Sequence, residues 1–408
     1  MENSIIFSLL RELKIPSRII KTLGWYLLSI MLPSEKHNQV FASKISGKAS
    51  SLFSNLLRNH SALSEATLNR ASRRVLSKLM KKRAPLAKGS PWTIAILIDA
   101  TIHRRTSRHC ENSQFFNHGS GHKFGHQWTN VGLFIAGQYI PLPPIPFYTT
   151  GFCSLTKKAY KTEGDKVSDY IRTLNLKGIL GDFDSEEIVF LMDSGYDIKK
   201  IQNTIISRGY DFIIALRKDR SMCERDRNFV QVGQFFKDGR RKWKTIRVQA
   251  DGGKRRSYRT KQREGLLKGV KTKVQLICSE KSKKQRKHFA CTDLTASEKT
   301  IIRVYQYRWK IEVFHREIKS YLGLEDTAAH SFNAVRSHLH WVYVSYILLL
   351  EMHSDKDMTI KERQLRLEAS IEARKMKEII LKTTQVGSKT AVKSYCLSAI
   401  ERINMRVS

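Results

Sequence analysis

The spacing of apolar residues separates a helical first part of the chain from a strand-rich second part. Before about residue 88, apolar positions recur at helical spacing, and over residues 63–83 Leu68, Val75 and Leu79 fall on one helix face. Proline and glycine at 85–91 then interrupt this pattern, which indicates a linker. The sequence therefore predicts a helical domain of residues 1–88.

After the linker, apolar residues form short continuous runs, which predict buried strands. The runs Thr93–Asp99 and Ile188–Asp193 each end in a carboxylate. Between them, Trp128–Ala136 and Tyr139–Leu142 read as a pair of strands joined by a tight turn at Gly137-Gln138. Strands interleaved with helices are the order of an α/β domain, and this order is compatible with a ribonuclease-H-like fold.

Residues 212–296 are strand-rich and strongly basic. Residues 217–290 contain 25 Lys and Arg against 7 Asp and Glu, an excess of 18 positive charges. A long helix follows over about 297–322, and the rest of the chain is mostly helical. The predicted fold class is α/β, with a core interrupted by a β-rich insertion and with helical ends. Its parts are a helical N-terminal region (1–88), a first core segment (89–211), the insertion (212–296), a second core segment (297–350) and a helical C-terminal region (351–408).

The charge balance points to a polyanionic partner. The chain has 73 Lys and Arg against 37 Asp and Glu, a formal charge of +36, and this excess favours a nucleic-acid partner over a merely soluble basic surface. The helix of residues 63–83 carries several cations, among them Arg73 and Arg74. It reads either as a module that contacts DNA phosphates or as an ordinary solvated helix face.

The remaining composition suggests a cytoplasmic, nucleoid-associated protein. The six cysteines include no C-x-x-C pair, which is typical of reduced thiols. Charged residues interrupt the first apolar stretch, so we expect no secretory signal. The strongest apolar run, Trp341–Leu350, is about half the length that a bilayer requires, and a buried helix is expected there instead of a membrane span.

The helix of residues 297–322 presents four polar side chains along one edge. Tyr305, Arg308, Glu312 and Lys319 lie within about 60° of one another around the helix axis, beside an apolar stripe. Arg308 and Glu312 by themselves are an i,i+4 pair of a kind common on ordinary helices. The edge becomes a candidate site only together with further acidic residues.

Two such residues are the aspartates that end the two apolar runs. An isolated aspartate after a strand is usually a turn residue, but charges at the carboxyl ends of parallel strands gather at one edge of a sheet. Asp99, Asp193 and Glu312 together would form a hard oxygen site suited to Mg²⁺ or Mn²⁺. Two such ions per site would activate a nucleophile for attack on a phosphodiester.

These residues resemble a known family. The spacing Tyr305-x2-Arg308-x3-Glu312-x6-Lys319 is similar to the Y-x2-R-x3-E-x6-K signature of DDE transposases from bacterial cut-and-paste insertion sequences. Asp99-Ala100-Thr101 resembles the first catalytic motif of that family. Asp193-Ser194-Gly195-Tyr196-Asp197 resembles its second, although Ser194 stands where some members have arginine. The similarity covers roughly residues 92–350.

The resemblance implies a ribonuclease-H-like core with a β-rich insertion and a transposase activity dependent on Mg²⁺ or Mn²⁺. Asp99, Asp193 and Glu312 would be the catalytic metal ligands. Arg308 and Lys319 would contact phosphates, and Tyr305 would position the DNA end. The implied partners are double-stranded DNA, as terminal inverted repeats and target, and a second copy of the chain in a homodimer. Trp243 is the candidate for stacking on a flipped base, and a core role for it is the alternative.

Three alternatives remain open. A ribonuclease-H-like nuclease or resolvase would use the same carboxylates without joining ends, and a domesticated relative would only bind DNA. The histidines His118, His122 and His126 have a spacing that would suit zinc on a helix, but the intervening glycines favour a loop that contacts phosphate.

Overall fold

A computed structural model describes residues 5–119, 121–224, 228–237, 242–249, 253, 255–281, 285–352 and 358–386. The strands are β1 (Ile94–Arg104), β2 (Gln114–His118), β3 (Gly121–Ile135), β4 (Gln138–Pro141), β5 (Ile145–Pro146), β6 (Ile188–Met192), β7 (Asp211–Leu216), β8 (Ser221–Cys223), β9 (Val230–Gln231), β10 (Lys244–Gln249), β11 (Arg255–Leu267), β12 (Lys273–Glu280) and β13 (Arg286–Cys291).

The helices lie before, between and after these strands. They are α1 (Ile5–Glu12), α2 (Ser17–Met31), α3 (Gln39–Ser46), α4 (Ser50–Asn59), α5 (Ser61–Met80), α6 (Thr150–Leu155), α7 (Glu163–Thr173), α8 (Leu176–Leu180), α9 (Lys199–Ser207), α10 (Val232–Phe235), α11 (Glu298–Tyr305), α12 (Trp309–Ser320), α13 (Phe332–Met352) and α14 (Ile360–Val386). No helix in these described ranges combines the length and the apolar character needed to cross a membrane. The fold is therefore mixed α/β, with helices at both ends.

The centre of the sheet is formed by the two apolar runs that end in a carboxylate. β1 and β6 pair in parallel, and β3 pairs with the other side of β1 in the antiparallel sense. Residues Ile94–Ile98 and Ile188–Met192 are fully buried. Strands buried on both faces are apolar at every position, which explains why these two runs do not alternate.

The predicted tight turn between β3 and β4 is present, one residue earlier than expected. Ile135 pairs with Gln138, so Ala136 and Gly137 are the two central residues of the hairpin. Both have positive φ angles, 49° and 84°, as a two-residue type I′ turn requires. Glycine is favoured in this conformation because it lacks a Cβ atom.

The basic β-rich segment continues the central sheet. β7 pairs with β6 in parallel and with β13 in the antiparallel sense, and β12, β11, β8 and β9 follow outward in that order. By its pairing β7 therefore belongs with the central strands. The basic strands of the insertion extend from it as one continuous surface.

The helix expected over residues 297–322 is interrupted. α11 ends at Tyr305, a 3-10 turn covers Gln306–Arg308, and α12 begins at Trp309. The expectation of one uninterrupted helix was therefore wrong. Its apolar side is nevertheless buried as expected, with Ile311, Phe314 and Ile318 fully inaccessible.

The N-terminal helices pack directly on the rest of the protein. α2, α4 and α5 contact α13, and Leu68, Val75 and Leu79 of α5 are buried as their spacing predicted. Buried hydrogen bonds cross this interface: Tyr26 and His338 Nδ1 are 2.8 Å apart, and Ser64 and His340 Nδ1 are 2.9 Å apart. The helices of residues 1–88 thus share one hydrophobic core with the sheet.

Candidate active site

Asp99 and Asp193 lie side by side at one edge of the parallel strands. Ile98 pairs with Met192, and the two aspartates are the next residues on each chain segment. Their positions differ in one respect from the expectation. β6 ends before Asp193, whereas β1 continues to Arg104 through its pairing with β3, so Asp99 lies within a strand and not at its end.

The segment after Asp193 is held in one conformation by local contacts. The Asp193 carboxylate accepts a hydrogen bond of 2.8 Å from the Gly195 amide. A Cβ atom at Gly195 would lie 3.0 Å from Asp193 Oδ1, which explains the glycine at this position. The hydroxyl of buried Tyr196 donates to Glu163 at 2.7 Å.

Glu163 lies next to the segment after Asp193, and the sequence analysis did not identify it. It also accepts hydrogen bonds from Gln127 Nε2 and Thr129 Oγ1, both at 2.8 Å. Glu163 begins α7, whose N-cap residue is Thr162. It thereby joins β3, α7 and the segment after Asp193. Nothing in the local sequence around Glu163 distinguishes it from other acidic residues at helix starts.

Arg308 connects Glu312 with Asp99. The guanidinium donates from Nη2 to Glu312 Oε1, and its Nη1 lies 4.0 Å from Asp99 Oδ2. The 3-10 turn of residues 306–308 places Arg308 immediately before α12, and its Cζ atom is 6.0 Å from the centre of the Tyr305 ring. Three of the four residues of the predicted helix edge therefore meet beside Asp99.

The surroundings of Asp99 disfavour its charged form. Burial raises the pKa of Asp99 to about 7, Arg308 lowers it, and the negative charges of Asp193 and Glu312 raise it further. Burial is thus the main cause of the raised pKa, and the two acidic neighbours add to it. Burial also raises the pKa of Tyr305 to about 12, against the effect of Arg308.

A chain of three polar residues on the same side of Asp99 was not expected. Asn130 lies directly opposite Asp99 in the β1–β3 pairing. Its Nδ2 is 2.6 Å from His315 Nε2, and its Oδ1 accepts from the Tyr343 hydroxyl. His315 Nδ1 lies 3.8 Å from Asp99 Oδ2. Since an amide NH₂ only donates, His315 Nε2 is the acceptor and Nδ1 carries the proton that faces Asp99.

Lys319, the last residue of the predicted edge, is bound by protein groups. Its ammonium donates to the Ile102 carbonyl at 2.7 Å and lies 3.6 Å from Glu325. The lysine therefore ties the end of α12 to β1, three residues beyond Asp99. Burial lowers its pKa.

A cavity of about 720 Å³ opens between α12 and the insertion. It is lined by aromatic and cationic side chains, among them Tyr258, Phe289, Tyr305, Arg308 and Trp309. Trp309 is 55% exposed although it begins the helix that carries Glu312. The cavity thus lies between the basic strands and Arg308, the residue that is bound to Glu312.

Trp243, the predicted stacking residue, lies in a different setting. It is half-buried, and the cations of Arg259, Lys261 and Arg286 lie 5.1 to 5.3 Å from its ring centre. Its ring is thus already engaged by cation–π contacts. Trp309 is the more exposed indole near the carboxylates.

The two arginines predicted on α5 also differ from each other. Arg73 is exposed, whereas Arg74 forms ion pairs with Glu12 and Glu351. Arg74 therefore joins α5 to α1 and α13. Only Arg73 presents its charge to solvent.

The histidines considered for zinc lie on a β-hairpin. His118 is in β2, and His122 and His126 are in β3, so the helical spacing that would suit a metal is not realised. His126 is buried with its Nε2 2.8 Å from the Glu111 carbonyl. Burial lowers its pKa to about 4.

A divalent ion fits the donor chemistry of the carboxylates but not their present side-chain positions. Within the described ranges, no group of three or more His, Cys, Asp or Glu side chains is arranged to hold a metal ion. Arg308 explains this result, because its guanidinium is bound to Glu312 and lies close to Asp99. It supplies positive charge where three acidic side chains converge.

Part of the chain is similar to a known protein family. Residues 159–348 match the family model of the transposase DDE domain. The matched segment, a little under half of the chain, includes Asp193 and Glu312, and Asp99 precedes it. Domains of this family use divalent metal ions, which is consistent with the acidic cluster.

A curated relative supports the same family. The chain is 36% identical over 72 residues to a protein of Geobacillus stearothermophilus described as "probable transposase for insertion sequence element IS5377". The alignment covers 18% of this chain and 18% of that relative.

Proposed function

We propose that this protein is a transposase that cuts DNA at the ends of its element and joins those ends to target DNA. The observation that supports it most is the placement of Asp99 and Asp193 on adjacent parallel strands, with Glu312 close enough to raise the pKa of Asp99. A purely DNA-binding role requires no such convergence of acidic side chains on a chain with a formal charge of +36.

Asp99, Asp193 and Glu312 would hold the divalent ions, which we propose to be two Mg²⁺ or Mn²⁺ ions per site. Hard oxygen donors of this kind suit both ions. When bound, they would activate water or a 3′-hydroxyl and stabilise the leaving oxygen of the phosphodiester. Glu312 becomes available as a ligand when Arg308 leaves it, and a DNA phosphate is a natural alternative partner for that guanidinium.

The other residues of the site would bind and orient DNA. Tyr305, Arg308 and Trp309 line a cavity that leads to the basic strands, so a DNA strand placed there would meet aromatic rings and cations next to the carboxylates. Lys319 would add a positive charge at the far end of α12. For Trp243 we propose a supporting role in the insertion, since three cations already lie over its ring.

We propose that the core strands and α12 form a ribonuclease-H-like catalytic unit of residues 89–211 and 297–350, with residues 212–296 as its insertion. Because β7 pairs with β6, we propose that the insertion begins after Leu216, a few residues later than the sequence predicts. The helices of residues 1–88 would bind the element end, where exposed Arg73 is available to a phosphate. The C-terminal helices after about residue 330 would contribute to a homodimer that pairs two ends. Residues 353–357 and 387–408 of this part lie outside the described residues.

The decisive experiment uses the purified full-length chain, Mg²⁺ and a plasmid that carries the DNA bordering the coding sequence at both ends. Excision followed by insertion into a second plasmid supports the proposal. Excised or nicked donor without joined products would favour a nuclease or resolvase. Binding without any cleavage would favour a domesticated DNA-binding relative.

A further inference from the structure

An exposed β-ribbon extends β3, the strand that pairs with the Asp99 strand β1. We define the ribbon as β2 together with residues 121–125 of β3, which pair with it. It is continuous with the catalytic part of the sheet, because β3 goes on to pair with β1 from Gly125 to Ile135. The ribbon therefore projects from the end of the β1–β3 pairing at Arg104, five residue pairs beyond Asp99.

The exposed face of the ribbon is the face of the sheet on which the carboxylates lie. Directly paired residues, and every second residue along a strand, share one face of a sheet. Asp99 pairs with Asn130, whose side chain contacts His315 of α12. Every second residue of β3 before Asn130 lies on the same face as Asn130, and this set includes Phe124 and His122. These pair with Phe115 and Asn117 of β2.

The ribbon and the insertion lie near opposite ends of α12. The insertion is near the start of this helix, and the ribbon begins near its end. Arg308 lies at the start of α12 beside the cavity that opens toward the insertion. Lys319, about 16 Å farther along the helix, bonds the Ile102 carbonyl of β1. The Arg104 amide donates to Glu325 at 3.1 Å, which joins the same corner. A DNA duplex running through the carboxylates would therefore meet the insertion on one side and the ribbon on the other.

The surface of the ribbon has the chemistry of a DNA contact. Phe115 is 56% exposed, its ring lies 5.0 Å from that of Phe124, and the Arg108 guanidinium lies 5.9 Å from its centre. Arg104, Arg108 and His122 are exposed. Residues 104–123 contain four Lys and Arg and one Glu. An exposed aromatic beside cations suits apolar contact with base edges and contact with phosphates, and a two-stranded ribbon fits the major groove.

We infer that this ribbon binds the donor DNA that flanks the element, just beyond the phosphate to be cut. The inference rests on the proposed function, since it takes Asp99, Asp193 and Glu312 as the place of cutting. We take the part of the duplex that enters the cavity beside the insertion as the element side, in addition to its contact with the helices of residues 1–88, and this leaves the ribbon for the flanking side. Arg108 and Phe115 are the residues expected to contribute most.

Two duplexes of the bordering DNA test this inference without any cleavage. Both contain the same element end, one carries about 15 base pairs of flanking DNA and the other stops at the end, and binding is measured in EDTA. The wild-type protein should bind the flanked duplex more tightly. Phe115→Ala and Arg108→Ala should each remove most of that advantage, about tenfold for the contact of the aromatic residue with base edges, and should leave the affinity for the unflanked duplex unchanged.

Lys177→Ala is the matched control, because Lys177 is an exposed cation on α8, outside the ribbon. It should retain the full advantage of the flank. Equal losses on both duplexes, or an undiminished advantage in the Phe115 and Arg108 variants, would overturn the inference. A protein that fails to bind either duplex would instead contradict the proposed function.

Discussion

The guanidinium of Arg308 donates to the carboxylate of Glu312, four residues further along, and its other amino group is 4.0 Å from Asp99. The pair is partly buried, with 16% and 29% of the two side chains exposed. Arg308 therefore balances the charge of two of the three proposed metal ligands. A metal ion and this arginine compete for Glu312, and the competition leads to a first prediction.

Replacing Arg308 by alanine should tighten Mn²⁺ binding severalfold while reducing the stability of the metal-free protein. Without the guanidinium, the carboxylates of Asp99 and Glu312 repel each other uncompensated, and the ion that relieves this repulsion binds more strongly. Calorimetric titration with Mn²⁺ and thermal unfolding, both at pH 8.5, measure the two effects. Arg316→Ala, an exposed arginine on the same helix, serves as the control. Weaker Mn²⁺ binding in Arg308→Ala would show that the arginine supports the metal site instead of competing with it.

His315 should orient Asp99 through its Nδ1 proton. Asn130 occupies Nε2 and is itself held by the Tyr343 hydroxyl, so the ring presents a donor to Asp99 across 3.8 Å. Loss of a group that orients a metal ligand typically costs 10-fold to 100-fold in metal affinity. We therefore expect His315→Ala and Asn130→Ala each to weaken Mn²⁺ binding by roughly tenfold.

The control for this second prediction is His330→Ala, which removes an exposed histidine. Nitrogen NMR of the histidine rings measures which ring nitrogen of His315 carries the proton. A merely structural role of His315 would not change this measurement. In the wild-type protein His315 should be neutral with its proton on Nδ1, and Tyr343→Phe should partly release that preference. A proton on Nε2 in the wild-type protein would refute the proposed orientation.

The elements of the site could be predicted from local patterns, and most of their contacts could not. Apolar runs ending at Asp99 and Asp193 predict buried strands, and parallel pairing brings their ends together as expected. The helix edge with Arg308 and Glu312 follows from periodicity alone. The 3-10 turn before Trp309 escaped prediction, because no proline or glycine marks it.

Contacts between distant segments lay beyond sequence reasoning. Asn130 and His315 are 185 residues apart, and their meeting depends on the register of β3 against β1. The solvent exposure of a side chain could not be predicted from the sequence either. Trp243 and Trp309 both lie among cationic residues in the sequence, yet of the two only Trp309 is largely exposed. Arg73 and Arg74 are neighbours in the sequence, and only the tertiary structure shows that Arg74 forms ion pairs.

Buried histidines should make the protein sensitive to mild acid. Burial lowers the pKa of His338 to about 4 and of His340 to about 3. Below pH 6.5 the unfolded chain takes up protons at these positions while the folded protein does not. Stability is therefore full above pH 6.5 and falls as the pH decreases toward 4, by up to ~3 kcal/mol for each histidine.

Urea unfolding at pH 7.5, 6.0 and 5.0 measures this dependence. In His338→Gln and His340→Gln the acid-induced loss should be smaller than in the wild-type protein, whatever their stability at pH 7.5. His109→Gln, at an exposed site, should show the wild-type slope. An unchanged slope in the first two variants would mean that other groups cause the acid sensitivity.

The segment after Asp193 should depend on the Tyr196–Glu163 hydrogen bond. Glu163 accepts from Tyr196, Thr129 and Gln127, so removing one donor leaves a partly buried carboxylate less satisfied. Tyr196→Phe should cost about 1.5–3 kcal/mol of stability, the range for a hydrogen bond to a charged group. Because Asp193 begins the same short turn, the loss should also appear as slower DNA cleavage at saturating DNA.

Tyr160→Phe is the matched control, since this tyrosine is 48% exposed and removal of its hydroxyl leaves the turn untouched. Urea unfolding and single-turnover cleavage of a bound element end measure the two effects separately. Glu163→Gln should restore part of the cleavage rate lost in Glu163→Ala, because an amide oxygen still accepts from Tyr196. Full cleavage by Glu163→Ala would show that Glu163 does not support Asp193 and contributes only to folding.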